Sequence, residues 1–455
     1  MNTKRTLFVT ILAAAATASL LAAVPVVSDV TMTQDASRRV TITYTLSDAP
    51  AVVTVDIQTN ANGSSWSSIG GEGIWNATGD VWKKVETSSG TISWHPDLSW
   101  PDHRIAEGGA RAVVTAWSLD NTPDYMVVDI SAGTQTNSQR YYPAVDFLPG
   151  SELGQKGAVT NNVEYKTSKI VMRKIMAKDV LWTSGATKME ASTDSTHEAQ
   201  LTNNFYIGVF EVTQGQWATI RGNASLAYFT NAAHRAERPM ESVSFNEVRL
   251  SPDKWQRSGY EWPHAPNPES FLGFLRSKTG LAFDLPSQAQ WEFACRAGHG
   301  SGYWGDGTPL LGSNADANLD KLGRYKSNGG YIDGTTAPGK AAGVENGTAI
   351  VGSYAPNSWG LYDMHGNVGE MVLDGASTLA QLTTRRGMVM VPGDPSADAT
   401  YRRVLGGNYR QTAVQCRPGR LLPVSSESVG DNLTQNVNEG TSQFGLRLAC
   451  QAGLK

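Results

Sequence analysis

The chain has 455 residues, of which 40% are hydrophobic and 18% are charged, and its formal net charge at pH 7 is −4. A chain of this length corresponds to two or three domains with hydrophobic cores of their own. Charges of both signs are mixed along the sequence without a basic stripe, which excludes nucleic acid as a partner.

The first 23 residues have the pattern of an export signal. Two cations, Lys4 and Arg5, precede an apolar run that starts at Leu7 and has small residues near Ala23. A charged start, an apolar core of about 15 residues and small residues at the cleavage point are typical of signal peptides. We expect cleavage after residue 23 and a secreted, periplasmic or cell-surface protein with no membrane span after cleavage. An uncleaved single-span anchor is the alternative.

Residues 24–132 are predicted to form an all-β sandwich. Short runs with period-two alternation, such as Val40, Ile42 and Tyr44 between threonines, indicate strands with one buried face. The predicted strands are 30–33, 39–46, 51–58, 90–94, 110–117 and 125–130. Several short strands at this spacing favour a sandwich of the immunoglobulin or fibronectin class, with a role in spacing or adhesion.

Residues 133–168 are rich in Gly, Pro, Ser, Thr and Asn and are predicted to be a linker. A second domain, 169–455, then has few helical patterns and much turn punctuation. Two helices are predicted from capping boxes, in which a serine precedes an acid or amide by three residues. One follows Ser244, with Glu247 as its partner, and the other follows Ser287, with Gln290 as its partner.

The three cysteines are too few for a disulfide scaffold. They are Cys295, Cys416 and Cys450. In an exported protein an odd number leaves at least one thiol unpaired or bonded to another chain, and it allows one intramolecular bridge.

Six motifs follow one another in the second domain. They include Phe205-Tyr-Ile-Gly-Val-Phe-Glu-Val-Thr-Gln at the start and Gly360-Leu-Tyr-Asp-Met-His-Gly-Asn-Val-Gly-Glu370 in the middle. The full set lies at 205–217, 238–246, 285–298, 356–370, 403–409 and 444–448. This series resembles the formylglycine-generating enzyme (sulfatase-modifying factor) family. The resemblance implies an α+β, loop-rich, C-type-lectin-like fold, which the all-β sandwich precedes.

The family's activity depends on two cysteines after a Gly-Gly-Ser motif, which bind copper(I) through thiolates. In this chain the matching window starts at Gly406. Without gaps, Gln411 stands at the first cysteine position and Cys416, the candidate catalytic residue, at the second; a gapped alignment removes both ligands. Because a neutral amide replaces a thiolate poorly, copper is not expected. The resemblance also implies a disulfide between Cys295 and Cys416.

A calcium site is the other feature that the resemblance implies. Its ligands would be the side chains of Asp363 and Glu370 and the carbonyls of Gly366 and Val368, since calcium takes six to eight oxygens. A second calcium site would include Asn318 and Leu319. His365, Glu211 and Glu292 are interpreted as buried structural residues.

The departure from the copper pattern favours a binding or adhesion function on this fold. Exposed polar side chains between framework motifs can form a surface for a protein or glycan ligand. The candidate residues are Asn408, Arg410, Gln411, Arg417 and Arg420. The alternative is an oxygen-dependent oxidoreductase that acts on a cysteine or thiol, of the formylglycine-generating or non-haem-iron sulfoxide-synthase-like type. For the iron version the histidines are scattered along the chain: His197, His234, His264, His299 and His365.

Overall fold

The computed structural model describes separate stretches of the chain: 24–60, 63–131, 138–150, 158–187, 196–249, 265–328, 346–375, 389–390, 402–420 and 442–453. The expected signal segment, 1–23, lies outside the described residues. None of the helices in the described stretches is long and apolar enough to cross a lipid bilayer.

The first unit is built from short strands and two short helices. The strands are β1 (Val26–Gln34), β2 (Val40–Ser47), β3 (Ala51–Thr59), β4 (Ser67–Ser68), β5 (Thr78–Gly79), β6 (Lys83–Val85), β7 (Ser89–Trp94) and β8 (Ala110–Trp117). The helices are α1 (Gly70–Ile74) and α2 (Pro96–Ser99). One sheet has the order β1-β2-β7-β5, and the other has the order β4-β3-β6 with β8 paired to β3.

The two sheets of the first unit share an apolar core. In β2, Val40, Ile42 and Tyr44 are buried, whereas Thr43 and Thr45 are exposed, so the predicted alternation is confirmed. All strand pairs of the unit are antiparallel. The all-β prediction is confirmed for this region, and the immunoglobulin or fibronectin class stays a prediction.

The second unit combines more strands with five short α-helices in the described residues. Its strands are β9 (Tyr125–Asp129), β10 (Gln139–Tyr142), β11 (Lys169–Ile175), β12 (Leu181–Ser184), β13 (His197–Leu201), β14 (Phe205–Gly208), β15 (Gly369–Gly375), β16 (Val389–Met390), β17 (Arg402–Leu405), β18 (Phe444–Leu446) and β19 (Ala449–Gln451). Its helices are α3 (Gln214–Arg221), α4 (Phe245–Arg249), α5 (Phe271–Thr279), α6 (Gln288–Arg296) and α7 (Leu319–Leu322). Turns of 3₁₀ helix lie at Val145–Phe147, Ala158–Thr160, Val163–Lys166, Arg235–Glu237, Lys326–Asn328 and Ala413–Cys416.

The main sheet of the second unit crosses the boundaries that the sequence predicted. Its order is β10-β9-β11-β14-β19, so β9, which was assigned to the sandwich, pairs with β11 of the second unit. The predicted linker, 133–168, contains β10 as well as 3₁₀ turns. Tyr141 and Tyr142 of β10 are both buried, so this short strand belongs to the core. Four residues are too few for a periodic pattern to stand out in the sequence.

Both predicted capping boxes are present. Before α4, the Ser244 N–H donates to the Glu247 carboxylate at 2.7 Å, and the Glu247 N–H donates to the Ser244 hydroxyl at 3.1 Å. Ser287 and Gln290 form the same reciprocal pair at the start of α6. These contacts satisfy N–H groups that have no partner within a helix, and they explain where both helices begin.

The two units are joined through a continuous core. The Trp82 ring of the first unit stacks on Tyr142 of β10 with centroids 5.1 Å apart, and the Tyr141 N–H donates to the Trp82 carbonyl at 2.9 Å. At Gly71 of α1, a Cβ would lie 2.3 Å from the Cα of Phe147, so glycine permits this close approach. The sandwich is therefore packed directly against the sheet that it precedes.

Candidate functional site

The 360–370 loop, which includes the first two residues of β15, is shaped by glycine and by backbone contacts. Gly366 has a φ of 103°, and a Cβ there would lie 2.2 Å from the carbonyl oxygen of Arg324. The Gly366 N–H donates to the Gly406 carbonyl at 2.8 Å, and the Asn367 N–H donates to the Arg324 carbonyl at 2.7 Å. The loop is thereby fixed between two other loops, and residues 361 to 370 are all buried.

Glu370 at the end of this loop forms a buried ion pair with Arg447. The Arg447 Nη2 lies 2.6 Å from Glu370 Oε1, and the two side chains are 0% and 1% exposed. The Trp291 indole N–H of α6 donates to Glu370 Oε2 at 2.6 Å. Arg447 also donates to the carbonyls of Gly208, Val209 and Tyr362. Both carboxylate oxygens of Glu370 therefore already accept from the protein.

Glu211 and Glu292 are buried and hydrogen-bonded, as the sequence analysis predicted. Glu211 accepts from the Asn367 amide at 2.6 Å and from the Val368 N–H at 3.1 Å. Glu292 accepts from the Ser184 hydroxyl at 2.7 Å and from the Arg296 guanidinium at 2.9 Å. Glu211 ties the segment between β14 and α3 to the 360–370 loop, and Glu292 ties α6 to β12.

Asp363 is buried with one oxygen unsatisfied. Its Oδ2 accepts from the Gly352 N–H at 2.6 Å, whereas its Oδ1 has no hydrogen-bond partner. Burial, together with the charge of Glu370, raises the pKa of Asp363 to about 6. Burial and the charges of Asp363 and Glu370 also raise the pKa of Glu211 well above its ordinary value. Three carboxyl groups thus share one interior region with the Arg447 guanidinium.

The predicted calcium ligands fit a calcium ion only in part. The unsatisfied Oδ1 of Asp363 is a free oxygen donor of the kind that calcium takes. Glu370 is not free in this way, since Arg447 and Trp291 occupy its oxygens. Among the described residues, no group of three or more His, Cys, Asp or Glu side chains is arranged to hold a metal ion. The predicted set has two carboxylates and two backbone carbonyls, and calcium binding there stays a prediction.

The residues of the predicted second calcium site lie at the N-terminal end of α7. Asn318 donates from its amide to the Pro309 carbonyl at 2.9 Å, and the carbonyl of Leu319 accepts from the Gly323 N–H at 3.1 Å. Asp316 accepts from the N–H groups of both Asn318 and Leu319. The downstream segment, 329–345, lies outside the described residues.

Cys416 and Gln411, the residues of the candidate copper window, are both buried. Cys416 is fully buried, and burial raises the pKa of its thiol to about 12 despite a backbone hydrogen bond from Asn408. Gln411 is also buried; its carbonyl accepts from the Lys326 N–H at 2.9 Å, and its Oε1 has no partner. At neutral pH the window therefore presents one protonated thiol and one amide.

His365 is a structural residue, as the sequence analysis predicted. Its Nε2 accepts from the Gly305 N–H at 3.1 Å, so its Nδ1 carries the proton and donates to the Cys416 carbonyl at 3.0 Å. Burial lowers the pKa of His365 to about 4. The Cys295 thiol lies 3.8 Å from Nδ1. Because backbone groups occupy both ring nitrogens, this imidazole has no lone pair left with which to deprotonate Cys295.

The disulfide implied between Cys295 and Cys416 is not formed in the structure, where both thiols are free. The two sulfurs face different neighbours. Cys295 Sγ lies 3.6 Å from the Met364 carbonyl, whereas Cys416 Sγ packs so closely on Gly407 that a Cβ there would be 2.6 Å away. Burial raises the pKa of Cys295 well above its ordinary value, so this thiol is protonated as well.

The predicted binding surface is corrected by the structure. Asn408, Gln411 and Arg417 are buried, whereas Arg410 and Arg420 are partly buried. Arg417 donates to the Gly312 carbonyl at 2.8 Å, which turns its side chain inward. The chain is already buried at Val404 and Leu405 of β17 and stays buried through Asn408, so this part of the window lies in the interior. The rest of the polar segment, 421–441, lies outside the described residues.

Sequence reasoning missed the role of Arg447. The residue belongs to the last of the six motifs, 444–448, and is fully buried with its charge neutralised by Glu370. The sequence did contain a signal, since Arg447 lies between two leucines in a strand-like run. A buried arginine in such a run requires an acidic partner.

The chain matches a family model described as "Sulfatase-modifying factor enzyme 1-like domain" over residues 166–450. The protein belongs to this family. Membership agrees with the α+β, loop-rich fold of the second unit, and the fold class predicted from the motifs is confirmed. The family segment begins after β9 and β10, although both strands extend its sheet.

Other proteins resemble this member of the sulfatase-modifying factor family. "Chaperone protein LppX" of Paenibacillus barcinonensis is 28% identical over 212 residues, which cover 42% of this chain and 69% of the relative. Among solved structures, Treponema denticola variable protein 1 is 22% identical, with a TM-score of 0.41 over 62% of this chain and 95% of its own. PvdO of Pseudomonas aeruginosa is 18% identical, with a TM-score of 0.42 over 62% and 94% of the two chains.

Proposed function

We propose that this family member is an exported binding protein without formylglycine-generating activity. The observation that carries the proposal is the pair of residues in the copper window. Gln411 contributes a neutral amide, and Cys416 is a buried thiol whose pKa is raised to about 12. Copper(I) prefers soft thiolates, so this donor set does not fit the metal on which the family's oxidation of cysteine depends.

Export is supported by the two cations followed by an apolar run at the N-terminus. The oxidoreductase alternative of the non-haem-iron type needs three imidazole or carboxylate ligands near one point. His264 lies outside the described residues, and within the described ones no such group is found.

The test of the proposal combines metal analysis with a catalytic assay. The mature protein is purified, loaded with copper(I) and incubated with oxygen and a peptide that carries the cysteine motif of sulfatases. We expect neither stoichiometric copper nor formylglycine in the peptide by mass spectrometry. Stoichiometric copper together with formylglycine formation would overturn the proposal. A family enzyme with both cysteines serves as the positive control.

A chaperone function is a second candidate, supported by the 28% identity to a relative named as a chaperone. If the protein is a chaperone, its ligand is an incompletely folded exported protein. The test is light scattering from reduced, aggregating insulin with and without the mature protein. Suppression at near-equimolar ratio supports this candidate, whereas unchanged aggregation contradicts it.

We further propose that calcium binds at the 360–370 loop. Glu211, Asp363 and Glu370 face one guanidinium, that of Arg447, and ionisation of all three carboxyl groups would leave excess negative charge in the interior. Asp363 would hold the ion through its unsatisfied oxygen, with the carbonyls of Gly366 and Val368 as further donors. A bound divalent cation would neutralise that excess charge.

A further inference from the structure

A groove in the second unit lies apart from the 360–370 loop. It has a volume of about 420 Å³ and is formed by the start of α3, the chain after α3 and the 3₁₀ turn Arg235–Glu237. Its walls are mostly small and apolar, with Ala218, Ala224, Ala232 and Ala236 among the lining residues. A volume of this size is in the range of ligand sites, which combine apolar walls with a few placed polar groups.

Arg235 is the charged residue of this groove, and neutral acceptors hold it in position. Its Nε donates to the Gln214 side-chain oxygen at 3.1 Å, and its Nη2 donates to the Ala224 carbonyl. Gln214 is itself fixed, since its amide donates to the Phe229 carbonyl at 3.0 Å. The guanidinium is thus oriented before any ligand arrives.

Within the described part of the chain, Arg235 has no carboxylate partner. The nearest acid in sequence, Glu237, instead pairs with Lys166 at 3.2 Å. By contrast, the buried guanidinium of Arg249 pairs with the Asp284 carboxylate at 2.9 Å. A half-buried cation that is oriented only by neutral groups, in an apolar groove, is complementary to a ligand that brings its own negative charge.

The polar rim of the groove narrows the choice of ligand. Asn223 uses its side-chain oxygen to accept from the backbone and hydroxyl of Ser225, at 3.1 and 2.7 Å. Its amide N–H groups remain to donate to a carbonyl, as a peptide backbone would supply. The alanine walls offer shallow apolar surface that small side chains of a peptide can contact.

We infer that this groove binds the C-terminal carboxylate of a peptide segment with small side chains, with Arg235 as the carboxylate-binding residue. The inference rests on the proposed binding function and gives it a ligand class. Nε and one N–H of Nη2 are used within the protein, so the carboxylate would accept from Nη1 and from the second N–H of Nη2. Two parallel hydrogen bonds of this kind supply both affinity and orientation. The Asn223 amide donates to a backbone carbonyl of the same segment.

The experiment uses acetylated trialanine with a free carboxylate and the same peptide with a C-terminal amide. Each is titrated into the full mature protein by isothermal calorimetry. We expect the acid to bind and the amide to bind at least about tenfold more weakly, since the charge-assisted bonds are lost. Ala232→Asp places a carboxylate on the exposed groove wall beside Arg235, without removing the bonds of Arg235 to Gln214 and Ala224. Ala232→Asn is its neutral control.

We expect Ala232→Asp to weaken binding of the acid at least about tenfold and Ala232→Asn to leave it within about twofold. Equal binding of acid and amide, absent binding of the acid, or equal effects of the two variants would overturn the groove assignment. Peptide binding that Ala232→Asp does not change would keep the binding function and move it to another face. Formylglycine formation in the separate assay would overturn the proposed function and leave this titration interpretable.

Discussion

Arg447 and Glu370, which are 77 positions apart in sequence, form an ion pair at 2.6 Å with both side chains fully buried. The pair connects the chain after β18 to the first residues of β15, and Arg447 extends it to three backbone carbonyls. Two further carboxyl groups, on Glu211 and Asp363, interact with the same guanidinium. This cation therefore stabilises a part of the core that would otherwise be strongly acidic.

Replacing Arg447 should lower the free energy of unfolding more than neutralising Glu370 does. We expect Arg447→Met to lower the free energy of unfolding by about 3 to 5 kcal/mol, because it leaves buried carboxylates without a cation. Glu370→Gln should cost less, since two acids still face Arg447. Chemical denaturation measures both values. Lys84→Met, which breaks a more exposed pair with Glu86, is the control and should cost at most about 1 kcal/mol. Similar costs for all three variants would contradict the role of Arg447.

The contact between the two units should contribute to a single cooperative transition. Trp82 is 5% exposed and stacks on Tyr142, whereas Trp75 of the same unit is 53% exposed. We expect Trp82→Ala to destabilise both units by about 3 to 5 kcal/mol, and Trp75→Ala to cost less than about 1 kcal/mol. Thermal denaturation with separate probes for the sandwich and the second unit is the measurement. Loss of the sandwich alone in Trp82→Ala would show that the units unfold independently.

Calcium should raise the stability of the protein through Asp363. At a free concentration of about 100 times its Kd, a ligand that binds only the folded state adds about 2.7 kcal/mol. We expect this increase in the wild-type protein and its loss in Asp363→Asn. Asp179→Asn, a change at an exposed position outside the site, should respond to calcium as the wild type does. A calcium effect that survives Asp363→Asn would place the ion elsewhere.

His365 should make the stability depend on pH in acid. Its folded pKa of about 4 is below the ordinary value of 6.5, so the unfolded state binds the proton more readily. The stabilisation from the neutral ring is complete above pH about 6.5 and is lost as the pH falls to about 4, by about 3 kcal/mol in total. We expect His365→Asn to remove this contribution to the pH dependence of the free energy of unfolding between pH about 4 and about 6.5. Urea denaturation at several pH values, compared between variant and wild type, checks it; parallel curves would refute the assignment.

The three thiols should all be free, and two of them should be unreactive in the folded protein. Cys295 and Cys416 are buried, and burial raises the pKa of both. Titration with a thiol reagent in denaturant without reductant should find three thiols per chain. In native buffer, neither Cys295 nor Cys416 should react within the time that labels an exposed thiol. A count of one thiol in denaturant would restore the disulfide that the family resemblance implies.

Local patterns in the sequence predicted local structure well. The alternation in β2 and the two capping boxes involve neighbours within four residues, so the physical cause and the signal lie in the same short segment. The buried positions of Glu211 and Glu292 were also predicted, from the framework motifs that contain them. The four-residue strand β10 was missed because it offers too few positions for a period to show.

The polar residues of the copper window were placed incorrectly for a different reason. Asn408 and Arg417 are polar and were expected on the surface, but both are buried in the structure. Burial of such groups is tolerated when the interior supplies partners, as the Gly312 carbonyl does for Arg417. A partner about a hundred residues away is not visible in the local composition.

By itself, the sequence determined the family and the fold class, because six motifs in a fixed order specify a known set of loops and strands. It also predicted that the copper window has at most one thiol, Cys416, with Gln411 at the other position in an ungapped alignment. Only the tertiary structure decided that burial raises the pKa of Cys416, that Arg447 pairs with Glu370 and that Arg235 lines a groove without an acidic partner among the described residues. Ionisation and pairing depend on desolvation and on distances between remote segments, and the folded path of the chain determines both.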